Sequence, residues 1–189
     1  MMARVLILGA NGQLARNTTR VLLGDPALTL YLRRANRLKN PAPERVAIVE
    51  GDVLDAAALQ DQDVVYANLA GDMARQARVI IDAMHATGLE RLIFISSVGI
   101  YGEVPGEKYR SVLDPYRDSA ALIEASDLDY TILRPGWFTS EPEGPFQITQ
   151  KGEPFQGHDI SLDSLSTLIA RIAKTPGLYV RSSIGVSDN

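Results

Sequence analysis

Two glycines, Gly9 and Gly12, stand three residues apart directly after the apolar run Val5–Leu8. The run is typical of a strand buried on both faces, and after Gly12 the apolar spacing becomes helical. In such a strand–turn–helix unit, glycine lets a diphosphate approach the backbone, and the free N–H groups of the helix start face that anion. The spacing therefore predicts a dinucleotide site; the alternative is a turn that binds nothing.

Two arginines follow the second predicted strand, Leu28–Leu32. In a Rossmann unit the residue at this point lies beside the adenosine ribose, where an acid bonds the 2′-hydroxyl of NAD and an arginine meets the 2′-phosphate of NADP. Arg33 and Arg34 hold the position with no acid nearby in the sequence, so NADP(H) is predicted in preference to NAD(H). The alternative is a solvated basic loop.

Later strand ends are predicted to complete the cofactor site. The third predicted strand leads to Asp52 and Val53, and the Asp52 carboxylate is expected either to accept a hydrogen bond from the adenine amino group or to cap the helix that follows. Small residues after the fourth strand let a cofactor lie against the backbone. The predicted cofactor-binding residues are Gly9, Asn11, Gly12, Gln13, Leu14, Arg33, Arg34, Asp52, Val53, Leu69, Ala70, Gly71 and Ser96.

The substrate side is expected at the ends of the fifth and sixth strands. Ser96 and Ser97 end the fifth, where their hydroxyls would overhang a nicotinamide pocket. Trp137 and Phe138 follow the sixth and are predicted either to wall a substrate cavity or to pack at the core edge. The polar, proline- and glycine-containing stretch 139–159 is a long connection, with a short strand predicted at 146–149.

The alternation of strands and helices predicts an α/β protein, a Rossmann-type doubly wound parallel sheet with helices on both faces. Later helices are predicted over 72–87 and 114–125 and from Ser161 to Pro176, and a last strand over 178–186. Residues 1–189 are expected to form one NAD(P)-binding domain, with a small C-terminal substrate-side region at about 137–160 and 178–189.

Composition excludes several classes of function. The net charge of −4 gives no basic surface for nucleic acid, and no apolar run approaches a membrane span. The chain has no cysteine, and its two histidines lie far apart in sequence, so no metal site is expected. We expect a cytoplasmic protein without a signal peptide, a monomer or weak homodimer, that acts on a small-molecule substrate.

The ordered set of motifs resembles the atypical short-chain dehydrogenase/reductase superfamily, in its NmrA-like and biliverdin-reductase-B-like branch. The matching motifs are GANGQLA (9–15), LRR (32–34), GD (51–52), NLAG (68–71), ISS (95–97), YTILRPG (130–136) and ISLDSL (160–165). The resemblance implies a Rossmann fold that binds NADP or NAD, with the substrate pocket over the nicotinamide.

The superfamily's catalytic Tyr-x-x-x-Lys pair is missing. None of the seven tyrosines is followed four residues later by lysine, and the slot in which related members carry the lysine falls at about Tyr116. In that pair the ammonium lowers the pKa of the phenol, which then exchanges a proton with the substrate. The substitute catalytic candidates are Ser97, Tyr101 and Tyr116, with Tyr109 as a further hydroxyl.

Loss of the pair disfavours ordinary ketone reduction and favours acceptors that take their proton from water, such as flavins or quinones. The sequence therefore predicts an oxidoreductase, an NADPH-dependent reductase of a small planar acceptor. The alternative is a non-catalytic NADP(H)-binding redox sensor that acts through a protein partner. A nucleotide-sugar epimerase ranks third, because the short C-terminal region leaves little room for a sugar nucleotide.

Overall fold

A computed structural model describes residues 3–24, 27–39, 42–52 and 56–189. The strands in these ranges are β1 (Arg4–Leu8), β2 (Ala27–Leu32), β3 (Val46–Glu50), β4 (Val64–Ala67), β5 (Arg91–Ile95), β6 (Asp129–Pro135), β7 (Trp137–Thr139), β8 (Phe146–Gln150), β9 (Asp159–Ser161) and β10 (Ser182–Asp188). The helices are α1 (Gln13–Leu22), α2 (Met73–Thr87), α3 (Asp114–Glu124) and α4 (Leu162–Lys174). None of the helices described is long and apolar enough to cross a membrane.

The main sheet has the strand order β3-β2-β1-β4-β5-β6-β10-β8. Each neighbouring pair is parallel except β10 and β8, which run antiparallel. The chain winds outward from β1 to β3 and then returns to start the second half at β4, so the strand order reverses between β1 and β4. This is the topological switch point at which doubly wound sheets bind ligands, and the predicted fold class is confirmed.

Helices cover both faces of the sheet. Val5 and Ile7 pack in one core with residues of α1 and α4, whereas Leu6 and Leu8 pack in a second core with residues of α2 and α3. Because successive side chains of a strand point to opposite faces, a strand buried on both sides has no polar alternation. The unbroken apolar run of β1 follows from this arrangement.

Local capping signals place the helix ends. Asp72 caps α2, where its carboxylate accepts a hydrogen bond from the Arg75 N–H at 3.2 Å, and Gly88 ends α2 with a φ of +71°. Ser161 caps α4 and accepts a hydrogen bond from the Ser164 N–H. The predicted limits of both helices therefore agree closely with the structure.

Two features differ from the prediction. The last strand begins at Ser182 rather than at residue 178, because Tyr179 and Arg181 adopt positive φ angles of 53° and 54° and belong to a turn. The short strands β7 and β9 pair in parallel as a separate small sheet that was not predicted. Each has three residues, and its partner lies more than twenty positions away, so no local pattern marks it.

Candidate functional site

The turn after β1 leaves the start of α1 open. The N–H groups of Gly9 and Ala10 donate to the Tyr31 carbonyl at 3.1 and 3.3 Å, and the Gly12 N–H donates to the Gly9 carbonyl at 3.0 Å. Gly12 is the cap residue of α1 and has no side chain to occupy the helix start. The first-turn N–H groups, which have no partner within a helix, are therefore available to an anion.

The packing of the protein itself requires glycine at position 9 and favours it at position 12. Gly9 has a φ of +72°, and a Cβ atom there would lie 2.0 Å from the Asn68 carbonyl oxygen. A Cβ atom at Gly12 would lie 2.5 Å from the Asn68 side-chain nitrogen. Glycine at position 12 thus both leaves room for a diphosphate at the backbone and accommodates the contact with the chain after β4.

A cavity of about 790 Å³, here called the glycine-turn cavity, lies at the carboxyl ends of β1, β2, β3 and β4. Nine of the predicted cofactor residues line it: Gly9, Asn11, Gly12, Arg33, Arg34, Asp52, Leu69, Ala70 and Gly71. Gln13 and Leu14 do not; the Leu14 side chain is buried in the core, so only its N–H can face a ligand. Val53 lies outside the described residues, and Ser96 lines a second cavity.

Two more arginines join Arg33 and Arg34 around the glycine-turn cavity. Arg37 follows on the same loop, and Arg75 comes from the first turn of α2. The loop before α2 is held by Gln76, whose side-chain amide donates to the Ala70 carbonyl at 2.7 Å. Four arginines against the carboxylates of Asp52 and Asp72 leave the lining with an excess of positive charge, which suits a phosphorylated ligand. No sequence motif marked Arg75 as a site residue. Only the fold brings the start of α2 beside the end of β2.

An acid from the neighbouring strand lies close to the arginines, although none is near them in the sequence. Glu50 is in register with Leu32 at the end of β2. Its carboxylate accepts a hydrogen bond from the Ala35 N–H at 2.7 Å, and Glu50 does not line the glycine-turn cavity. The acid therefore stabilises the turn that follows Arg34. Asp52 does line the cavity, and its role toward adenine stays a prediction.

A second cavity of about 480 Å³, here called the aromatic cavity, lies at the ends of β5 and β6. Its large apolar and aromatic walls are Val98, Val104, Tyr109, Val112, Leu113, Tyr116, Trp137, Phe138 and Phe155. Trp137 and Phe138 are 57% and 40% exposed, so they wall the cavity rather than pack at the core edge. The polar side chains are Ser96, Ser97, Glu107, Lys108, Arg110 and His158.

The small sheet of β7 and β9 positions Trp137. The Trp137 N–H donates to the His158 carbonyl at 3.0 Å, and the two rings stack with centroids 6.4 Å apart. A Cβ atom at Gly136 would lie 2.2 Å from the same carbonyl oxygen. The glycine of the YTILRPG motif thus allows the close approach that brings the indole to the mouth of the aromatic cavity.

Comparison with known proteins agrees with this geometry. A family model described as NAD(P)H-binding matches residues 9–176 of the chain. The chain belongs to the NAD(P)H-binding family. The resemblance to atypical short-chain dehydrogenases/reductases is thereby confirmed, and cofactor binding is a property of the family's fold.

Three relatives show the range of the family. A Rossmann-fold NAD(P)-binding family protein from Shigella flexneri is 40% identical and has a TM-score of 0.86, with 100% of this chain and 97% of that chain covered. A short-chain dehydrogenase/reductase from Veillonella parvula, solved in complex with NADP, is 27% identical with a TM-score of 0.89, covering 100% and 95%. The Bacillus subtilis protein named uncharacterized sugar epimerase YhfK is 26% identical over 74% of each chain.

The catalytic candidates of this NAD(P)H-binding protein divide between two places. Ser97 and Tyr116 line the aromatic cavity, and among the described residues the Tyr116 hydroxyl has no hydrogen-bond partner. Tyr101 does not line it: its hydroxyl donates to the Glu124 carboxylate and lies 2.9 Å from the Ser183 hydroxyl. Burial and the Glu124 carboxylate raise the pKa of Tyr101, the opposite of the shift in a Tyr–Lys pair. Its catalytic role stays a prediction that this geometry does not favour.

A buried ion pair holds the loop that forms one wall of the aromatic cavity. The fully buried Arg134 guanidinium lies 2.6 Å from the Glu103 carboxylate, and it also donates to the Ser183 hydroxyl and carbonyl. Glu103 in turn accepts hydrogen bonds from the N–H groups of Gly99 and Tyr101 at 3.0 and 2.9 Å. The loop after β5 is therefore fixed to β6 and β10 through one carboxylate.

We predict that Gly9→Ala lowers the free energy of unfolding by about 2–5 kcal/mol in the absence of any nucleotide. The substitution adds the cost of a left-handed alanine to a clash with the Asn68 carbonyl. Gly88→Ala is the matched control, since Gly88 has nearly the same φ and no atom lies within 4 Å of the position that a Cβ would take there; it should cost only about 1–2 kcal/mol. Urea unfolding measures both, and equal losses would contradict the Asn68 contact.

We also predict that Glu103→Ala lowers the free energy of unfolding by about 3–5 kcal/mol, because it leaves Arg134 buried without a countercharge. The double variant Glu103→Leu/Arg134→Met should recover much of this loss. Lys151→Ala, which removes the exposed partner of Glu124 and leaves that carboxylate its hydrogen bond from Tyr101, is the control and should cost at most about 1 kcal/mol. A Glu103→Ala protein as stable as the Lys151→Ala protein would show that the buried pair does not hold the loop.

Proposed function

We propose that the protein is an NADPH-dependent reductase of a small planar acceptor of the flavin or quinone type. The observation that carries this proposal is an aromatic-walled cavity beside the glycine-turn cavity at one edge of the sheet. The missing Tyr-x-x-x-Lys pair supports it, because such acceptors do not require a strong acid from the protein.

The shape and chemistry of the aromatic cavity favour a flat, largely apolar molecule. Trp137, Phe138 and Tyr109 present exposed ring surfaces to it, and aromatic rings pack well against flat conjugated systems. A sugar would need a dense set of hydrogen-bonding side chains, since a polar ligand held without its hydrogen bonds binds poorly. The lining of the aromatic cavity is therefore a better guide to the substrate than the epimerase name of the Bacillus subtilis relative.

The residues of the glycine-turn cavity fit a dinucleotide. The N–H groups of Gln13 and Leu14 at the start of α1 would hold the diphosphate, and Arg33, with its neighbouring arginines, would hold the 2′-phosphate of NADP. The Veillonella parvula relative was solved with NADP, which supports the same choice here. When bound, the reduced nicotinamide would supply a hydride, and this chain's part would be to bind and orient the cofactor and to exclude water.

Two hydroxyl groups lie where they could contact a bound acceptor. The Tyr116 and Ser97 side chains line the aromatic cavity, and Ser97 donates to the Val98 carbonyl at 3.1 Å. With neither hydroxyl next to a lysine partner in the sequence, they serve to orient the acceptor while water supplies its proton. Positioned acid–base catalysis contributes about 10²–10⁴-fold in rate, so acceptors that depend on it should react slowly.

The second candidate function is the redox sensor that binds NADP(H) and acts through a partner protein. It shares the cofactor site with the reductase, and it is favoured by the loss of the catalytic pair. A ligand shifts a conformational equilibrium only if it binds the two states with different affinities. A sensor of the NADP/NADPH ratio must therefore bind NADP and NADPH with unequal affinity. Equal affinities would argue against it.

We predict that Arg33→Glu weakens NADPH binding roughly tenfold or more while NADH binding changes less than about threefold. The guanidinium is expected to meet the 2′-phosphate that only NADPH carries, and a hydrogen bond to a charged group is worth about 1.5–3 kcal/mol. Calorimetric titration with both cofactors measures the two affinities. Arg45→Glu, at an exposed residue outside both cavities, is the matched control; a parallel loss for NADPH and NADH would remove the NADP assignment.

We predict that the protein oxidises NADPH in the presence of flavins or quinones, and that simple ketones react at least about 10²-fold more slowly. The absorbance of NADPH, followed against a blank without protein, measures the rate for each acceptor. If no acceptor in such a panel is reduced above the blank while NADP and NADPH bind unequally, the sensor replaces the reductase.

A further inference from the structure

We infer that the aromatic cavity takes an acceptor that carries an anionic group, and that Lys108 and Arg110 recognise this group. The inference rests on the proposed function and narrows its substrate class to planar molecules with a phosphate, sulfonate or carboxylate. Both side chains line the cavity. They belong to the stretch 107–110, here called the rim segment.

The two cations of the rim segment differ from the other cations around the cavity. Among the described residues, neither the Lys108 ammonium nor the Arg110 guanidinium has an ion-pair or hydrogen-bond partner. The cations near them are neutralised: Arg117 pairs with Asp114 and Asp118, Arg134 with Glu103, and Lys151 with Glu124. Within the described ranges, Lys108 and Arg110 are therefore free to meet the anionic group of a ligand.

The remaining charges of the aromatic cavity leave the cations in excess. Glu107 contributes one carboxylate that is also without a partner among the described residues. The His158 ring lies 2.6 Å from the Asp159 carboxylate, so any positive charge on it is balanced. The cavity is therefore lined by two unbalanced cations and one carboxylate, which attracts an anion to an otherwise apolar space.

The rim segment is held in place from both sides. The Tyr109 hydroxyl, between the two cations in sequence, donates to the Asp114 carboxylate at 2.8 Å, and the Arg117 guanidinium lies over the Tyr109 ring. At the segment ends, the Glu107 N–H donates to the Val104 carbonyl and the Leu113 N–H to the Arg110 carbonyl. Lys108 and Arg110 are thus carried by an anchored backbone at the cavity wall.

This arrangement matches an amphiphilic ligand. The planar body would lie against Trp137 and Phe138, while its anionic group meets the cations of the rim segment. A guanidinium can donate to two oxygens of such a group side by side, and an ammonium adds a point charge. A neutral acceptor fills the apolar part alone and leaves the cations to water.

The test compares acceptors that differ in charge. Riboflavin and flavin mononucleotide share one ring system, and menadione and 1,2-naphthoquinone-4-sulfonate are a neutral and an anionic quinone. Binding is measured by fluorescence quenching for the flavins and by calorimetry for the quinones, with the protein saturated by NADP so that a phosphate cannot enter the glycine-turn cavity. We expect the anionic member of each pair to bind at least about tenfold more tightly at low salt, and the difference to shrink as salt is added.

Variants assign the effect to the rim segment. Lys108→Gln/Arg110→Gln should reduce the preference for the anionic member to about twofold or less, with the dissociation constant of the neutral member unchanged. Lys151→Gln/Arg181→Gln is the matched control, since it also removes two cations, both of which are exposed, paired with carboxylates and outside the cavity. It should leave the preference intact.

The outcomes separate this inference from the proposed function. Equal affinity for charged and neutral members, or a preference that survives in Lys108→Gln/Arg110→Gln, overturns the anion site even if NADPH reduces all four acceptors. Preferential binding of the anionic members without any NADPH oxidation supports the anion site and overturns the reductase. A preference within the flavin pair alone identifies phosphate as the group recognised, whereas a preference in both pairs shows that charge is sufficient.

Discussion

The contact between the turn after β1 and Asn68 after β4 sets the geometry of the nucleotide end of the molecule. A Cβ atom at Gly9 would lie only 2.0 Å from the Asn68 carbonyl, so the two chain segments approach more closely than any side chain allows. Beyond this contact α1 leaves toward one face of the sheet and α2 toward the other. The divergence opens the glycine-turn cavity, and Gly12, the cap residue of α1, belongs to the cavity lining.

The aromatic cavity depends on a different interaction. The hydrogen bonds of a parallel sheet already bring the strand ends together at one edge. The loop from β5 to α3 lies outside the sheet, so contacts of its own must hold it. Arg134 and Glu103 supply them, although burying two charges is costly and contributes little net stability. Their value is positional: Glu103 fixes the N–H groups of Gly99 and Tyr101, and its carbonyl accepts the N–H of Phe155, another wall residue.

Local signals predicted most of the fold and the nucleotide end of the site. The apolar run of β1 and the limits of the helix predicted over 72–87 each depend on a few adjacent residues, and both are confirmed in the structure. What the sequence could not predict depends on residues far apart in the chain. Arg75 reaches the glycine-turn cavity only through the strand order, and the Tyr101 hydroxyl meets Ser183, 82 positions away. No local pattern records such contacts.

The packing around α3 disfavours a lysine partner four residues after Tyr116, one of the catalytic candidates. Tyr116 lies at the aromatic cavity, and the residue four positions later, on the same side of the helix, is Ala120. Ala120 is fully buried in the core beneath α2 and α3. A lysine there would need to bury its charge or displace that core, which costs several kcal/mol without a partner. Tyr116 therefore has no lysine partner on its own helix, and the buried position of Ala120 opposes the introduction of one.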